Sequence, residues 1–132
     1  MKVLIMGCGR VGAMVATQLA EEGHEVTIMD PNPESFRRLP QNTGVVALAG
    51  DGTDHEVLRR AGIESMDVFV AVSNRDTLNA LAAQIARFTF HTPRVVCRLN
   101  DPTRQEIYQE LGLEAVSPTQ LVSQMILDAI HR

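Results

Sequence analysis

The sequence predicts an α/β domain built as a doubly wound sheet, with six mainly parallel strands and helices on both faces. Two observations carry this. Short β-branched or apolar runs alternate with longer helical patterns along the whole chain, the signature of a parallel sheet with crossover helices. The first run, Lys2–Met6, passes directly into a glycine-rich turn and then a helix-forming stretch. At 132 residues the chain is expected to form one domain, residues 1–132, with a core that needs no disulfides. Six strands and their helices fill that length and leave no room for a separate catalytic domain or pore.

The elements follow in order. Lys2–Met6 is apolar but too short for a signal peptide or a bilayer span, so it reads as the first strand. A helix over Val11–Glu22 ends at Gly23, and Glu25–Met29 is the second strand. Pro33 opens a short helix, Glu34–Leu39, before a third strand, Val45–Ala49. The helix Asp54–Ala61 stops at Gly62, and Val68–Val72 is the fourth strand. A long helix, Thr77–Phe90, leads to the fifth strand, Arg94–Leu99. Pro102 and Pro118 open the last two helices, Thr103–Leu111 and Thr119–His131, on either side of a sixth strand, Glu114–Val116.

Composition narrows the chemistry. The 12 basic and 16 acidic residues give a net charge of −4, so nucleic acid is not an expected partner. Lys2 is the only lysine, which excludes a Gly-Lys-Ser/Thr phosphate loop and an interior Schiff base. Cys8 and Cys97 match no metal spacing and suit a reducing cytoplasm, so no metal site is expected.

Gly7-Cys8-Gly9-Arg10-Val11-Gly12 fits G-x-G-x-x-G after a strand and at a helix start. In a Rossmann-type sheet the first glycine permits the tight turn, the second admits a pyrophosphate, and the third packs helix on strand. Free N–H groups at that helix start would face the phosphates. Asp30 ends the second strand, where a carboxylate can accept from a ribose 2′-OH and would repel a 2′-phosphate. NAD or an adenosine nucleotide is therefore favoured over NADP.

Ligands of open parallel sheets bind outside the carboxyl ends of the strands. The third end offers Asp51, Gly52 and Thr53 to an adenosine, although the same residues suit a turn and helix N-cap. Ser73 and Asn74 at the fourth end could meet phosphates or the second half of a dinucleotide. Arg98 ends an otherwise apolar strand and wants a partner: a ligand phosphate, or an internal ion pair with Asp76 or Asp101.

Taken together, the glycine hexapeptide, Asp30-Pro31, Gly50-Asp51-Gly52-Thr53-Asp54, Ser73-Asn74-Arg75-Asp76 with Asn79, and Arg98-Leu99-Asn100-Asp101-Pro102 resemble one family. It is the N-terminal nucleotide-binding lobe of RCK domains, the regulators of potassium conductance of Trk- and Ktr-type uptake systems and some channels. The resemblance spans essentially the whole chain. It implies a cytoplasmic regulatory subunit, peripheral to the inner face of the membrane, that binds NAD(H) or ATP/ADP/AMP and acts on a membrane potassium-translocating subunit. Carried over by position, Gly7, Gly9, Arg10, Val11 and Gly12 would line the phosphates and Asp30 would hold the ribose. Asp51, Gly52 and Thr53 would lie near the adenosine, with Ser73, Asn74 and Arg98 closing the other side. The second lobe that many such proteins carry is not found within these residues.

The rival reading is a nicotinamide-dependent oxidoreductase, or a redox-sensing module unrelated to potassium. An oxidoreductase needs an acid/base group over the nicotinamide. Tyr108, the only tyrosine, has no lysine to accompany it; His24 lies in the turn before the second strand, His55 opens a helix, His91 follows one and His131 is terminal, positions that suit surface histidines. No catalytic residue is assigned. The last helix carries a stripe of Leu121, Val122, Met125, Ile126, Ala129 and Ile130, which either covers a sheet face or marks a homodimer or larger ring.

Overall fold

A computed structural model describes all 132 residues. The strands β1 (Lys2–Met6), β2 (Glu25–Asp30), β3 (Val46–Ala49), β4 (Val68–Ala71), β5 (Arg94–Arg98) and β6 (Glu114–Val116) form one sheet. Their order is β3-β2-β1-β4-β5-β6, and every neighbouring pair is parallel. The five α-helices are α1 (Arg10–Glu21), α2 (His55–Arg60), α3 (Asp76–Gln84), α4 (Pro102–Glu110) and α5 (Pro118–Ile130).

Strand alternation divides the core in two. Val3, Ile5, Val26, Ile28, Val68 and Val72 face Ala13 and Ala16 of α1 and half-buried Phe36 and Leu39. Leu4, Met6, Met29, Phe69, Ala71, Val95 and Cys97 face the other way, onto Val57 and Leu58 of α2 and Ala80 and Ala83 of α3. Burying a side chain of the size of Phe69, which is 0% exposed, contributes about 2–3 kcal/mol. Both faces are therefore covered around β1, and the order reverses between β1 and β4. That reversal opens a crevice at the carboxyl ends of the two strands.

Two elements depart from the sequence-based expectation, and for α5 one of the two readings left open, cover of a sheet face, does not hold. The helix expected at Glu34–Leu39 is a 3-10 segment, Pro33–Arg38, started by Pro33 and capped by the Asn32 side chain, which accepts from Glu34 N–H. So short a segment uses i to i+3 bonds, such as Leu39 N–H to Phe36 O at 3.1 Å. The helix expected at Thr77–Phe90 divides into α3 and a π turn, Ile85–Thr89, which buries Ala86 and leaves Phe88 exposed before His91 turns at φ +55°. Finally, α5 covers neither face. Every residue from Thr119 to Ile130 is exposed, and on the α1 side of β4–β6 Val70 and Val96 are only half-buried and Val116 is exposed.

Candidate nucleotide-binding cleft

The glycine loop joins β1 to α1 and its geometry is dictated by neighbours. Gly7 has φ +113°, and a Cβ there would lie 2.7 Å from the Ser73 backbone nitrogen, so only glycine satisfies both constraints. A Cβ on Gly12 would overlap the Gly7 carbonyl, which is how α1 comes to sit directly on the loop. Gly9 differs: nothing lies within 4 Å of its would-be Cβ, and its backbone is extended. The fold makes no use of that glycine, and the open space beside it faces the first turn of α1.

That turn is prepared for an anion. Alone among the five α-helices, α1 has neither a side-chain N-cap nor an acidic residue in its first turn. Its first amide N–H groups lack intrahelical partners and carry the positive end of the helix dipole.

Asp30, at the end of β2, accepts from the Cys8 backbone N–H at 2.9 Å through Oδ2 and from Asn32 N–H at 2.9 Å through Oδ1. It therefore ties the loop to β2 and, since each carboxylate oxygen has two lone pairs, keeps one on each for a further donor.

Two cavities meet here. The first, of about 500 Å³, is lined by Gly7, Cys8, Gly9, Arg10, Val11, Asp30, Ser35, Arg38, Val72, Ser73, Asn74 and Arg98. The second, of about 220 Å³, shares Gly7, Asp30, Ser73 and Asn74 and adds Met6, Pro31, Asp51, Gly52, Thr53, Arg75 and Leu78. Eleven of the twelve residues singled out from sequence line one or both. The twelfth, Gly12, lies beneath the loop.

Several expected roles are refined. Asp51 Oδ1 accepts from Thr53 N–H at 2.9 Å and Thr53 Oγ1 at 2.7 Å, forming a turn, while the N-cap of α2 is Asp54. Gly52 packs on the Met6 thioether. The ion pair considered for Arg98 is absent. Its Nε donates to Asn100 Oδ1 at 3.2 Å, Asp76 accepts from the backbone N–H groups of Asn100 and Asp101, and Asp101 caps α4. Strand alternation puts Arg98 on the same sheet side as Val96, toward the glycine loop, and leaves its guanidinium without a carboxylate partner.

Sequence reasoning missed Arg38 and Ser35. Arg38 lies 30 positions from Cys8 in the chain, and the 3-10 segment folds its Nη1 back to donate to the Cys8 carbonyl at 3.3 Å. No motif marks it; the basic pair Arg37-Arg38 shortly after an acidic strand end was the available signal. The larger cavity thus gathers three guanidinium groups and one carboxylate in a chain of net charge −4.

No histidine, lysine or tyrosine lines either cavity. Cys8 is buried in the loop, and burial, reinforced by Asp30 and opposed by Arg38, pushes its thiol above the ordinary range. Cys97 is pushed up to about 12 by burial and then by Asp76. Both thiols are protonated at neutral pH, the unreactive form.

The class these features define is a doubly wound α/β domain with a glycine-loop, anion-receptive cleft at its topological switch point. Residues 3–118 match the TrkA-N domain family, and the chain belongs to it. It is 42% identical over 127 residues to the Trk system potassium uptake protein TrkA of Streptomyces coelicolor, covering 96% of this chain and 57% of that protein. The Halomonas elongata TrkA is 35% identical over 137 residues, covering 100% of this chain and 29% of the relative. Among solved structures, the TrkA-N domain of the Escherichia coli inner membrane protein ybaL superposes with a TM-score of 0.85 at 17% identity, covering 97% and 95% of the two chains. The GsuK structure bound to ADP superposes with a TM-score of 0.78 at 23% identity, covering 95% of this chain and 32% of that one. These structural likenesses establish the shared fold.

Proposed function

We propose that this chain is a regulatory nucleotide-binding domain that takes NAD(H) or ATP/ADP/AMP in its cleft and reports occupancy to a membrane potassium-translocating subunit. One observation carries the reading: guanidinium groups without carboxylate partners and free helix amides converge on a cleft that holds no histidine, lysine or tyrosine to act as acid or base. Such a site binds phosphates and is poorly equipped to transform them. Relatives named as Trk potassium uptake proteins support the partner, and neighbours bound to ADP, NAD and AMP support the ligand class. No helix is long and apolar enough to cross a membrane; the proposed position is cytoplasmic and peripheral, reached through the partner.

Asp51, Gly52, Thr53 and Pro31 suit the adenosine, Asp30 the ribose, and Gly7, Gly9, Arg10, Val11, Arg38, Ser73, Asn74 and Arg98 the phosphates. Titration calorimetry with NAD⁺, NADH, ATP and ADP, alongside an NADH-oxidation assay, tests this. Saturable binding without turnover is expected; turnover would refute the regulatory reading.

We also propose a homodimer or larger ring in which a second copy covers α5. Met125 and Ile130 on that helix are each 68% exposed, an apolar stripe that water alone does not favour. Replacing Met125 and Ile126 by Glu should shift the sedimentation coefficient to that of a monomer. An unchanged assembly would exclude α5 as the interface.

A further inference from the structure

We infer that Asn79, with Asp76 one turn earlier on α3, positions the anion-binding half of the cleft. The two side chains hold the ends of β4 and β5 at a fixed separation and so set where Ser73 and Arg98 face a bound phosphate. This rests on the nucleotide reading above.

Asn79 is a polar side chain with 0% exposure, set among alanines of the core. All of its hydrogen-bonding capacity is used. Oδ1 accepts from Ser73 N–H at 2.9 Å and from Ser73 Oγ at 2.7 Å. Nδ2 donates to the Ser73 carbonyl at 2.9 Å and to the Arg98 carbonyl at 3.0 Å. The opposite amide orientation would set an NH₂ against the Ser73 N–H, so the network admits one arrangement. On its other side Ser73 abuts Gly7, leaving it clamped between the glycine loop and α3.

Asp76 repeats the operation on the next strand end. Its Oδ1 accepts from Asn100 N–H at 2.8 Å and its Oδ2 from Asp101 N–H at 3.1 Å. Asn100 in turn holds the Arg98 side chain through Oδ1. Three residues apart, Asp76 and Asn79 share one helix face, so a single rigid element brackets both strand ends. A core needing only filled volume would be served by an apolar side chain. What a fully satisfied buried amide adds is direction.

The test compares ADP with adenosine as calorimetric probes on the wild type, Asn79→Asp and Asp76→Asn. Asn79→Asp keeps the acceptor for Ser73 and removes both donors, including the one to Arg98. Its ADP affinity should fall by about tenfold or more, as for a displaced hydrogen bond to a charged group, and adenosine affinity should fall by much less. A variant that had only lost folded population would weaken both probes by one factor. Equal losses, or no loss, would overturn the inference. Should Asn79→Asp fail to fold, Asp76→Asn, on the partly exposed first residue of α3, reads the same contrast. Absence of ADP binding by the wild type would instead overturn the nucleotide reading, and this inference with it.

Discussion

Gly9 and Gly12 belong to one hexapeptide, yet their surroundings predict opposite consequences for the same added methyl group. Gly9 is the N-cap of α1 with φ −81° and ψ −166°, open to any residue, and its Cβ would meet nothing within 4 Å. Alanine is a poorer N-cap than glycine by up to about 1 kcal/mol. It also narrows the unfolded chain's freedom, a gain of about 0.4–1 kcal/mol. The two nearly cancel, so Gly9→Ala should leave stability within about 1 kcal/mol of wild type. Its methyl occupies the space beside the free amides of α1, however. Excluding a phosphate from even one charge-assisted bond costs about 1.5–3 kcal/mol, roughly a tenfold to hundredfold loss of ADP affinity. In Gly12→Ala the methyl overlaps the Gly7 carbonyl, and α1 must lift off the loop. Overpacking of this kind costs about 1–3 kcal/mol, a fall in Tm of roughly 3–15 °C for a domain of this size. Urea unfolding and ADP calorimetry on both variants decide the matter. Wild-type ADP affinity in Gly9→Ala, or destabilisation equal to that of Gly12→Ala, would refute the assignment of Gly9 to the ligand.

Asp30→Ala should lower both properties together, because the carboxylate serves the loop as well as the ribose. About 1–3 kcal/mol of stability is expected to go with the partners of Cys8 and Asn32, and a similar amount of ADP affinity with the ribose; a loss of affinity with unchanged stability would show that the loop does not need Asp30. Neither thiol should react with an aromatic disulfide reagent at pH 8 until the chain is unfolded, and rapid labelling of the folded protein would contradict the burial of Cys8 and Cys97. Burial raises the Cys97 thiol to about 12, so the fold favours the protonated form. Its contribution to stability is complete below the ordinary thiol range of about 8.5 and declines as pH rises from there toward the raised value. Urea midpoints measured upward from pH 8 should therefore decline more steeply in wild type than in Cys97→Ala.

What the sequence discloses is set by how local the cause is. The glycine loop, the strand alternation and the Pro33, Pro102 and Pro118 helix starts are local; they define the sheet, and that sheet brings eleven of the twelve named residues to the walls of the two cavities. Arg38 was hidden because its role depends on a 3-10 segment folding back across 30 positions to the Cys8 carbonyl. Of the two partners open to Arg98, the internal ion pair fails for a related reason: two carboxylates lie close in sequence, but backbone N–H groups of the following loop claim Asp76 and the α4 N-cap claims Asp101. For α5, the apolar stripe was plain, but a stripe states only that something must cover it. Whether that cover comes from the same sheet is a tertiary fact, and here the half-buried Val70 and Val96 remain without it.

The exposure of α5 has a mechanical side. The helix is anchored at its first end, where Ser117 is 3% exposed, caps Gln120 N–H and donates to the carbonyl of Asn100, the residue whose side chain holds Arg98. Its 13 residues rise about 20 Å from that anchor. A tilt of about 5° at the base would carry Ile130 through roughly 2 Å over that rise. Displacements too small to notice inside the cleft become, at the far end of this arm, as large as the offset that separates good side-chain packing from none.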